Sequence, residues 1–422
     1  MRVQISFRDR EKAEVNVPSA KALLHRALIA ASLADGKSVL HNVYWNEDTE
    51  ATREALESIG ASFTCEGKDL IVQGGDLSAF NGTVLDCRSS ASTLRFLIPV
   101  FSLSGHRCIY TGSKRLLERP MSVYEELFRE GTFQRDVPFL RVQGDIRRKR
   151  YDIPGNISSQ FISGLLFALP LCEDDSEIFI HGEIGSSSYI DLTIDILKKA
   201  GITVLRDENH LYVKGNQAYH PFAYEIPADD SQAAFFAAEA LLLNKEIRIA
   251  NSKKDSLQGD HKVYAILKDC GAEIEENEEG TLVIPKEMRP FCADLRDIPD
   301  LGPILFTLAS RIEGVSVFHN TSRLSFKESD RIISMKEELE KTGAVLEVSE
   351  NEVRIRGKRE FEGETCFDGH GDHRVVMALS ILSAMGKRPS VLEGAEAVNK
   401  SYPDFFEDLE KTGVNIEKEE IR

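Results

Sequence analysis

Glu54-Ala55-Leu56-Glu57-Ser58-Ile59-Gly60-Ala61 decides how this chain folds. An amphipathic stretch runs into a glycine and then a small residue, the pattern of a helix closed by a left-handed C-cap and followed by a strand. The closing phrase recurs at Arg129-Glu130-Gly131-Thr132, Lys199-Ala200-Gly201-Ile202, Asp269-Cys270-Gly271-Ala272, Lys341-Thr342-Gly343-Ala344 and Lys411-Thr412-Gly413-Val414. Successive glycines stand 71, 70, 70, 72 and 70 residues apart. Six copies therefore account for nearly all of the 422 residues.

Working outward from each glycine, a β-like run leads through a polar turn into a second alternating run. Leu70-Ile71-Val72-Gln73-Gly74, Leu140-Arg141-Val142-Gln143-Gly144 and Leu211-Tyr212-Val213-Lys214-Gly215 are examples. This alternation predicts hairpins with one buried face. Each copy also holds an earlier helix, opening at Ser19-Ala20-Lys21, Ser90-Ala91-Ser92, Ser158-Ser159-Gln160, Asp229-Asp230-Ser231, Pro299-Asp300-Leu301 and Asp372-His373-Arg374. Ser and Asp are good N-caps at such positions. The unit reads β-α-β-α-β-β, and the fold class is α/β, assembled from α+β repeats. The sixth copy stops at Arg422 before its last strand, which Arg2-Val3-Gln4-Ile5 can supply. That predicts two domains of three copies each, residues 19–227 and residues 1–18 plus 228–422, with crossings near Pro18 and Pro227.

Composition narrows the function. With 52 Lys plus Arg against 69 Asp plus Glu, the net charge of −17 argues against nucleic acid or an anionic membrane as the main partner. No apolar run reaches the length of a bilayer span. The first residues alternate like a strand and lack a signal-peptide core. Seven Cys without a C-x-x-C pair suit a reducing cytosol, so a cytoplasmic protein is expected. No H-E-x-x-H, Cys/His cluster, G-x-x-x-x-G-K or strand-linked G-x-G-x-x-G occurs, so no metal or nucleotide cofactor is expected.

The unusual residues gather at one phase of the repeat. The second helix of each copy is expected to start about a dozen residues before its glycine, and Arg119, Tyr189, Arg331 and Ser401, the last flanked by Lys400, each lie twelve residues before their own. The first helices open with Lys21, Ser92, Gln160, Asp300 and Arg374. One phase of a repeat maps to one face, which predicts many helix N-termini aimed at a cleft between the two domains. Helix N-termini favour anions. Lys21, Arg26, Arg119, Lys327, Arg331, Arg374 and Lys400 would make that face strongly cationic, suited to carboxylates and phosphates. A single Arg at a helix start is ordinarily solvated or ion-paired, and Arg95 and Arg115 read no further than that. Lys327-Glu328-Ser329-Asp330-Arg331 alone fits a charged helix start. Repetition at one phase favours the anion site for the set. His373 stands apart from the other histidines because Asp372-His373-Arg374 lies at that phase.

Eight segments in order carry a family resemblance. They are Pro18-Ser19-Ala20-Lys21 with His25-Arg26-Ala27-Leu28, Glu118-Arg119-Pro120-Met121, Ile157-Ser158-Ser159-Gln160-Phe161, Ser188-Tyr189-Ile190-Asp191, Ile298-Pro299-Asp300, Lys327 to Arg331, Asp372-His373-Arg374 and Lys400-Ser401-Tyr402-Pro403-Asp404. The chain resembles the enolpyruvyl transferase family over nearly its full length, and within it the branch acting on shikimate 3-phosphate. The resemblance implies two pseudo-threefold domains that close on their substrates. It implies a transferase moving the enolpyruvyl group of phosphoenolpyruvate to the 5-hydroxyl of shikimate 3-phosphate. The step proceeds by addition and elimination, without cofactor, in aromatic amino-acid biosynthesis. A monomer is expected.

By position, the resemblance implies that Lys21 touches both substrates and Arg26 the shikimate carboxylate. Ser158, Ser159, Gln160, Ser186, Tyr189 and Lys327 would hold the rest of shikimate 3-phosphate. Arg119, Gln160, Arg331, Arg374 and Lys400 would hold phosphoenolpyruvate. Asp300 would accept the hydroxyl proton and Glu328 would shuttle the proton at the methylene, with Lys21 and His373 in the catalytic set. The chemistry asks for these types: a base, an acid and cations against charge on the leaving phosphate.

Three positions depart from the family pattern. Ala22 stands where a Ser usually meets the shikimate phosphate, and Arg323 where Asn is usual. Ser89-Ser90-Ala91-Ser92 replaces an Asn-x-Gly-Thr loop, so Ala91 adds a methyl beside phosphoenolpyruvate. That predicts weaker binding of phosphoenolpyruvate and, more so, of the inhibitor glyphosate. The nearest rival acceptor is UDP-N-acetylglucosamine, whose enzymes carry a reactive Cys before the Arg-Pro pair; 111–119 here holds none. A six-repeat DNA-encircling clamp would need basic residues spread along pore-lining helices rather than gathered beside carboxylates.

Overall fold

A computed structural model describes residues 1–7 and 12–419. The chain forms two compact units. Ser19–Ile226 makes one, the inserted unit; Met1–Pro18 with Pro227–Arg422 makes the other, the terminal unit.

Each unit contains three four-stranded sheets of one design. In the inserted unit Val84–Asp86 lies parallel to Cys108–Thr111, which pairs antiparallel with Phe139–Gln143, itself hairpinned to Thr132–Asp136. The parallel pair needs a crossover, and the helix Ala91–Ser102 provides it. Three sheets borrow a strand from a distant part of the chain. Ala223–Glu225 pairs with Lys37–His41 to complete the first copy, and Lys12–Val15 pairs with Glu246–Ile249 to complete the fourth. Arg2–Phe7 fills the sixth copy, antiparallel to both Ser390–Glu393 and Val414–Glu419.

The first helix of each copy forms the core. Asp230–Leu242, Gly302–Ala309 and His373–Ala384 are buried at every residue. Helices apolar on all sides belong in the middle, and the sheets and second helices enclose them. Their counterparts in the inserted unit are Lys21–Ser32, Ala91–Ser102 and Ser159–Ala168. Among the described residues no helix is long and apolar enough to cross a membrane.

The repeat glycines divide into two kinds. Gly60, Gly201, Gly271, Gly343 and Gly413 have φ between 80° and 119°, the left-handed cap that favours glycine. Gly131 does not, because its role is close approach: a Cβ there would stand 2.2 Å from the Gln143 carbonyl oxygen. Four of the six core helices have the expected side-chain N-cap, from Ser90, Ser158, Asp229 and Asp372. Two do not. Ala20 caps the first without a side-chain bond, and a 3-10 turn at Pro299–Leu301 leads into the fifth.

Candidate active site

In the inserted unit the residues singled out from sequence sit at the openings of the core helices and in the loops beside them. Lys21 is the first residue of its helix, and its Nζ donates to Asp48 Oδ2 at 2.8 Å. Asp48 belongs to the helix Glu47–Glu57, whose Asn46–Thr49 capping box fixes the turn. Arg26 lies just over one turn past Lys21 and is 1 % exposed. Its Nε donates to Thr193 Oγ1 (2.8 Å) and its Nη1 to the Ala22 carbonyl (2.6 Å). Its Nη2 donates to the Tyr189 carbonyl (3.1 Å). Burial pulls its pKa down to about 10, only partly offset by the neighbouring Tyr189. Arg26 thus joins Ala22 and Tyr189. Ser186, three residues before Tyr189, is buried with φ 61°, an uncommon backbone for a serine.

Ser90 caps Ala91–Ser102 through Thr93 N, so Ala91 is the first helical residue and is 7 % exposed. Gln160 reaches across to this helix, donating from Nε2 to Ser92 Oγ at 3.0 Å. Ser158 caps its own helix and Ser159 begins it. Arg119 does not open a helix as expected. It ends Lys114–Glu118 in an extended conformation (φ −61°, ψ 151°), because the following Pro120 disfavours helical geometry at the residue before it. The next helix starts only at Ser122.

The terminal unit builds a denser array. Arg331 opens the helix Arg331–Glu340 and is 1 % exposed. Its Nε donates to Asp372 Oδ2 (2.8 Å), its Nη1 to Asp300 Oδ1 (2.8 Å) and its Nη2 to Glu328 Oε2 (3.0 Å). Lys327 Nζ donates to the same Asp300 Oδ1 at 3.1 Å, and Arg374 Nη2 lies 3.6 Å from Asp300 Oδ2. Lys400 Nζ is 3.5 Å from Glu328 Oε1. Arg374 is further anchored on Ser231, through the carbonyl (3.0 Å) and Oγ (2.7 Å). His373 Nδ1 stands 3.8 Å from Asp372 Oδ1, and Arg323 Nη1 donates to the Arg296 carbonyl at 3.2 Å. Lys400 closes a 3-10 turn, and the α-helix beyond it begins at Phe405 after Pro403, so this cation too is not at a helix N-terminus.

The electrostatics differ from a plain cationic face. Asp300, Glu328 and Asp372 interleave with Lys327, Arg331, Arg374 and Lys400. Burial alone would raise the Asp300 carboxyl, but Lys327, Arg374 and Arg331 hold it well below the usual carboxylate range. Lys327 is lowered by burial, against the pull of Asp300. Asp260 moves the other way: burial, then the charge on Asp300, push it up to about 8 despite Arg374. An anion entering here competes with carboxylates for the same guanidinium groups. Displaced, those carboxylates become stronger bases.

Sequence reasoning passed over several contributors. Asp48 and Ser231 lie far in sequence from the cations they hold, and no local pattern connects them. Asp372 was visible in its motif, but its contact with Arg331 spans two repeats. Arg95 read as an ordinary surface cation and is buried.

Comparison with known proteins gives a consistent result. A family model described as EPSP synthase (3-phosphoshikimate 1-carboxyvinyltransferase) matches residues 6–409. A 3-phosphoshikimate 1-carboxyvinyltransferase of Clostridium kluyveri is 40 % identical over 413 residues, covering 96 % of each chain. One of Clostridium perfringens is 37 % identical over 409 residues, 95 % of this chain and 96 % of the relative. Among solved structures, an EPSP synthase from Acinetobacter baumannii superposes with a TM-score of 0.80 at 23 % identity, over 99 % of this chain and all of that one, which speaks to the fold.

Proposed function

The chain belongs to the EPSP synthase family, and on that premise we infer how its two units divide the transfer of an enolpyruvyl group from phosphoenolpyruvate to the 5-hydroxyl of shikimate 3-phosphate. The inserted unit holds the acceptor. Ser158, Ser159 and Gln160 receive its phosphate at a helix N-terminus, where unpaired N–H groups suit an anion. Ser186, Tyr189 and Arg26 flank the ring and carboxylate, and Ala22 borders the phosphate. Lys21 reaches both substrates, while Arg119 and the turn at Ala91 border phosphoenolpyruvate. In the terminal unit Lys327 and Arg323 meet the acceptor, and Arg331, Arg374 and Lys400 grip phosphoenolpyruvate.

The observation that carries this reading is the sharing of Arg331 between Asp300 and Glu328. A phosphate or carboxylate that takes Arg331, Arg374 and Lys400 to itself withdraws positive charge from both carboxylates and raises their proton affinity. Asp300 then accepts the 5-hydroxyl proton as the oxygen adds to the enol carbon, and Glu328 delivers a proton to the methylene. In the elimination that follows, Glu328 takes a methyl proton back, and the phosphate leaves the tetrahedral intermediate carrying the proton that Asp300 had accepted. Lys21, Arg331 and Lys400 offset charge on the departing phosphate. His373 backs Asp372, which fixes Arg331.

The test is phosphate release from phosphoenolpyruvate, with and without shikimate 3-phosphate. Release that needs shikimate 3-phosphate and disappears in Asp300→Asn supports the reading. Release that needs UDP-N-acetylglucosamine instead, or that survives Asp300→Asn, overturns it.

A further inference from the structure

Arg95 is 8 % exposed, in the second turn of the helix Ala91–Ser102. Its Nη1 donates to Gln160 Oε1 at 2.9 Å and lies 3.4 Å from Ser158 Oγ. Its Nη2 donates to the Pro120 carbonyl at 2.9 Å, one residue past Arg119. The guanidinium rests 4.8 Å from the centre of the Phe161 ring, close enough for cation–π attraction. The backbone is held as well, since Tyr124 Oη donates to the Arg95 carbonyl at 2.5 Å. One planar fork therefore spans two segments: the loop with Arg119 and the helix start with Ser158 and Gln160. Gln160 closes the circuit back to Ser92 on Arg95's own helix.

The Nη donors of Arg95 end on Ser158 and Gln160 and on the carbonyl next to Arg119, groups at or beside those assigned above to substrates. We propose that Arg95 is a positioning residue that ties the acceptor-phosphate segment Ser158–Gln160 to the phosphoenolpyruvate segment Arg119–Pro120, so that occupancy of one subsite orders the other. This rests on the assignment of those segments given above. A guanidinium can do this because its two Nη groups point in fixed, divergent directions; an ammonium reaches one partner at a time.

The experiment uses the full chain carrying Arg95→Lys, with the KM of each substrate measured at low and saturating levels of the other. In the parent, saturating shikimate 3-phosphate should lower the KM for phosphoenolpyruvate. In Arg95→Lys both KM values should rise about tenfold, the size of a lost charged hydrogen bond, with kcat changed less than about threefold. The mutual lowering should disappear. A purely structural role would lower the melting temperature without removing that coupling. Phe161→Leu takes away the ring beneath the guanidinium, together with that ring's edge contact to Tyr124, and keeps an apolar side chain in the core. It provides the same reading in a milder form, a rise of both KM values together, should the lysine variant fail to fold. Unchanged coupling in the folded variants overturns the proposal. Gln160→Ala and Arg119→Lys separate the two levels. If neither raises a KM, the assignment of the segments fails; if both do while Arg95→Lys does not, only the role of Arg95 fails.

Discussion

The two units are built from one repeat, yet they hold their cations differently. In the inserted unit Arg26 and Arg95 end on hydroxyls, an amide oxygen and backbone carbonyls. In the terminal unit Lys327, Arg331, Arg374 and Lys400 end on or beside the carboxylates Asp300, Glu328 and Asp372. Lys21, paired with Asp48, follows the terminal pattern inside the inserted unit. Neutral acceptors fix a guanidinium in place while leaving its charge uncompensated. Carboxylates also fix it, but they compensate the charge and can exchange a proton. The first arrangement suits binding, and the second suits chemistry that an arriving anion switches on.

The sharpest way to break the comparison is to remove the proton acceptor. Asp300→Asn should lower kcat by a factor on the order of 10³, read as phosphate release under saturating substrates. A similar loss from a hydroxyl in the inserted unit, such as Ser159→Ala, would erase the distinction. Next in size is the cost of taking one carboxylate from a buried cation. Asp372→Asn leaves Arg331 with Asp300 and Glu328 but without the fully buried partner of its Nε, and should destabilise the terminal unit by about 3 kcal/mol, the low end for a broken buried pair. Thr193→Val, which takes one neutral acceptor from Arg26, should cost only about 1–2 kcal/mol. Denaturant midpoints for the two variants check the contrast, and equal shifts would contradict it.

Much of this was legible in the sequence, for a physical reason. A 70-residue period shows through turn chemistry, because a left-handed cap strongly favours glycine, and so Gly60, Gly201, Gly271, Gly343 and Gly413 mark every hairpin entry but one. The missing strand at the chain's end could be assigned to Arg2–Phe7 because the repeat shows which strand is lacking. What could not be read were contacts between residues far apart in sequence. Arg331 with Asp372, Lys21 with Asp48 and Arg374 with Ser231 each join residues 27 to 143 positions apart. The cations were visible and their partners were not, which is why a face of mixed charge read as cationic. Arg119 and Lys400 misled for a local reason, since Pro120 and Pro403 delay the helix that periodicity alone would start earlier.

Asp260 offers a pH-dependent comparison of smaller size. Its folded pKa of about 8 lies above the ordinary value near 3.9. The folded chain therefore keeps a proton that the unfolded chain has lost, and stability declines as pH rises from about 4 to about 8. His261, whose two ring nitrogens face Asp230 and Glu276 at 3.2 Å each, is also raised: burial opposes the shift, but the two carboxylates outweigh it. It acts in the same sense, its contribution complete below about 6.5 and lost above. Asp260→Asn should match the parent near pH 4 and melt progressively higher than it up to pH 8.5. A gap that narrows with rising pH would reverse the sign and the assignment.

The smallest effect concerns Ala91. Its methyl sits at the first residue of a buried helix, beside Ser92, which receives the Gln160 amide. A methyl group that crowds a ligand is worth about 1 kcal/mol, or five- to tenfold in affinity. Ala91→Gly should therefore tighten inhibition by glyphosate by about that factor and lower the KM for phosphoenolpyruvate by less, since the smaller ligand is crowded less. The two ligands must be compared in the same preparation, because a general loosening of the helix start would weaken both. Tightening of glyphosate over phosphoenolpyruvate identifies a steric role for the methyl. Equal changes in both would instead locate its effect in the Ser90 cap, and unchanged inhibition would show that Ala91 does not border that ligand. The inserted unit would then discriminate among anions by hydrogen bonding alone.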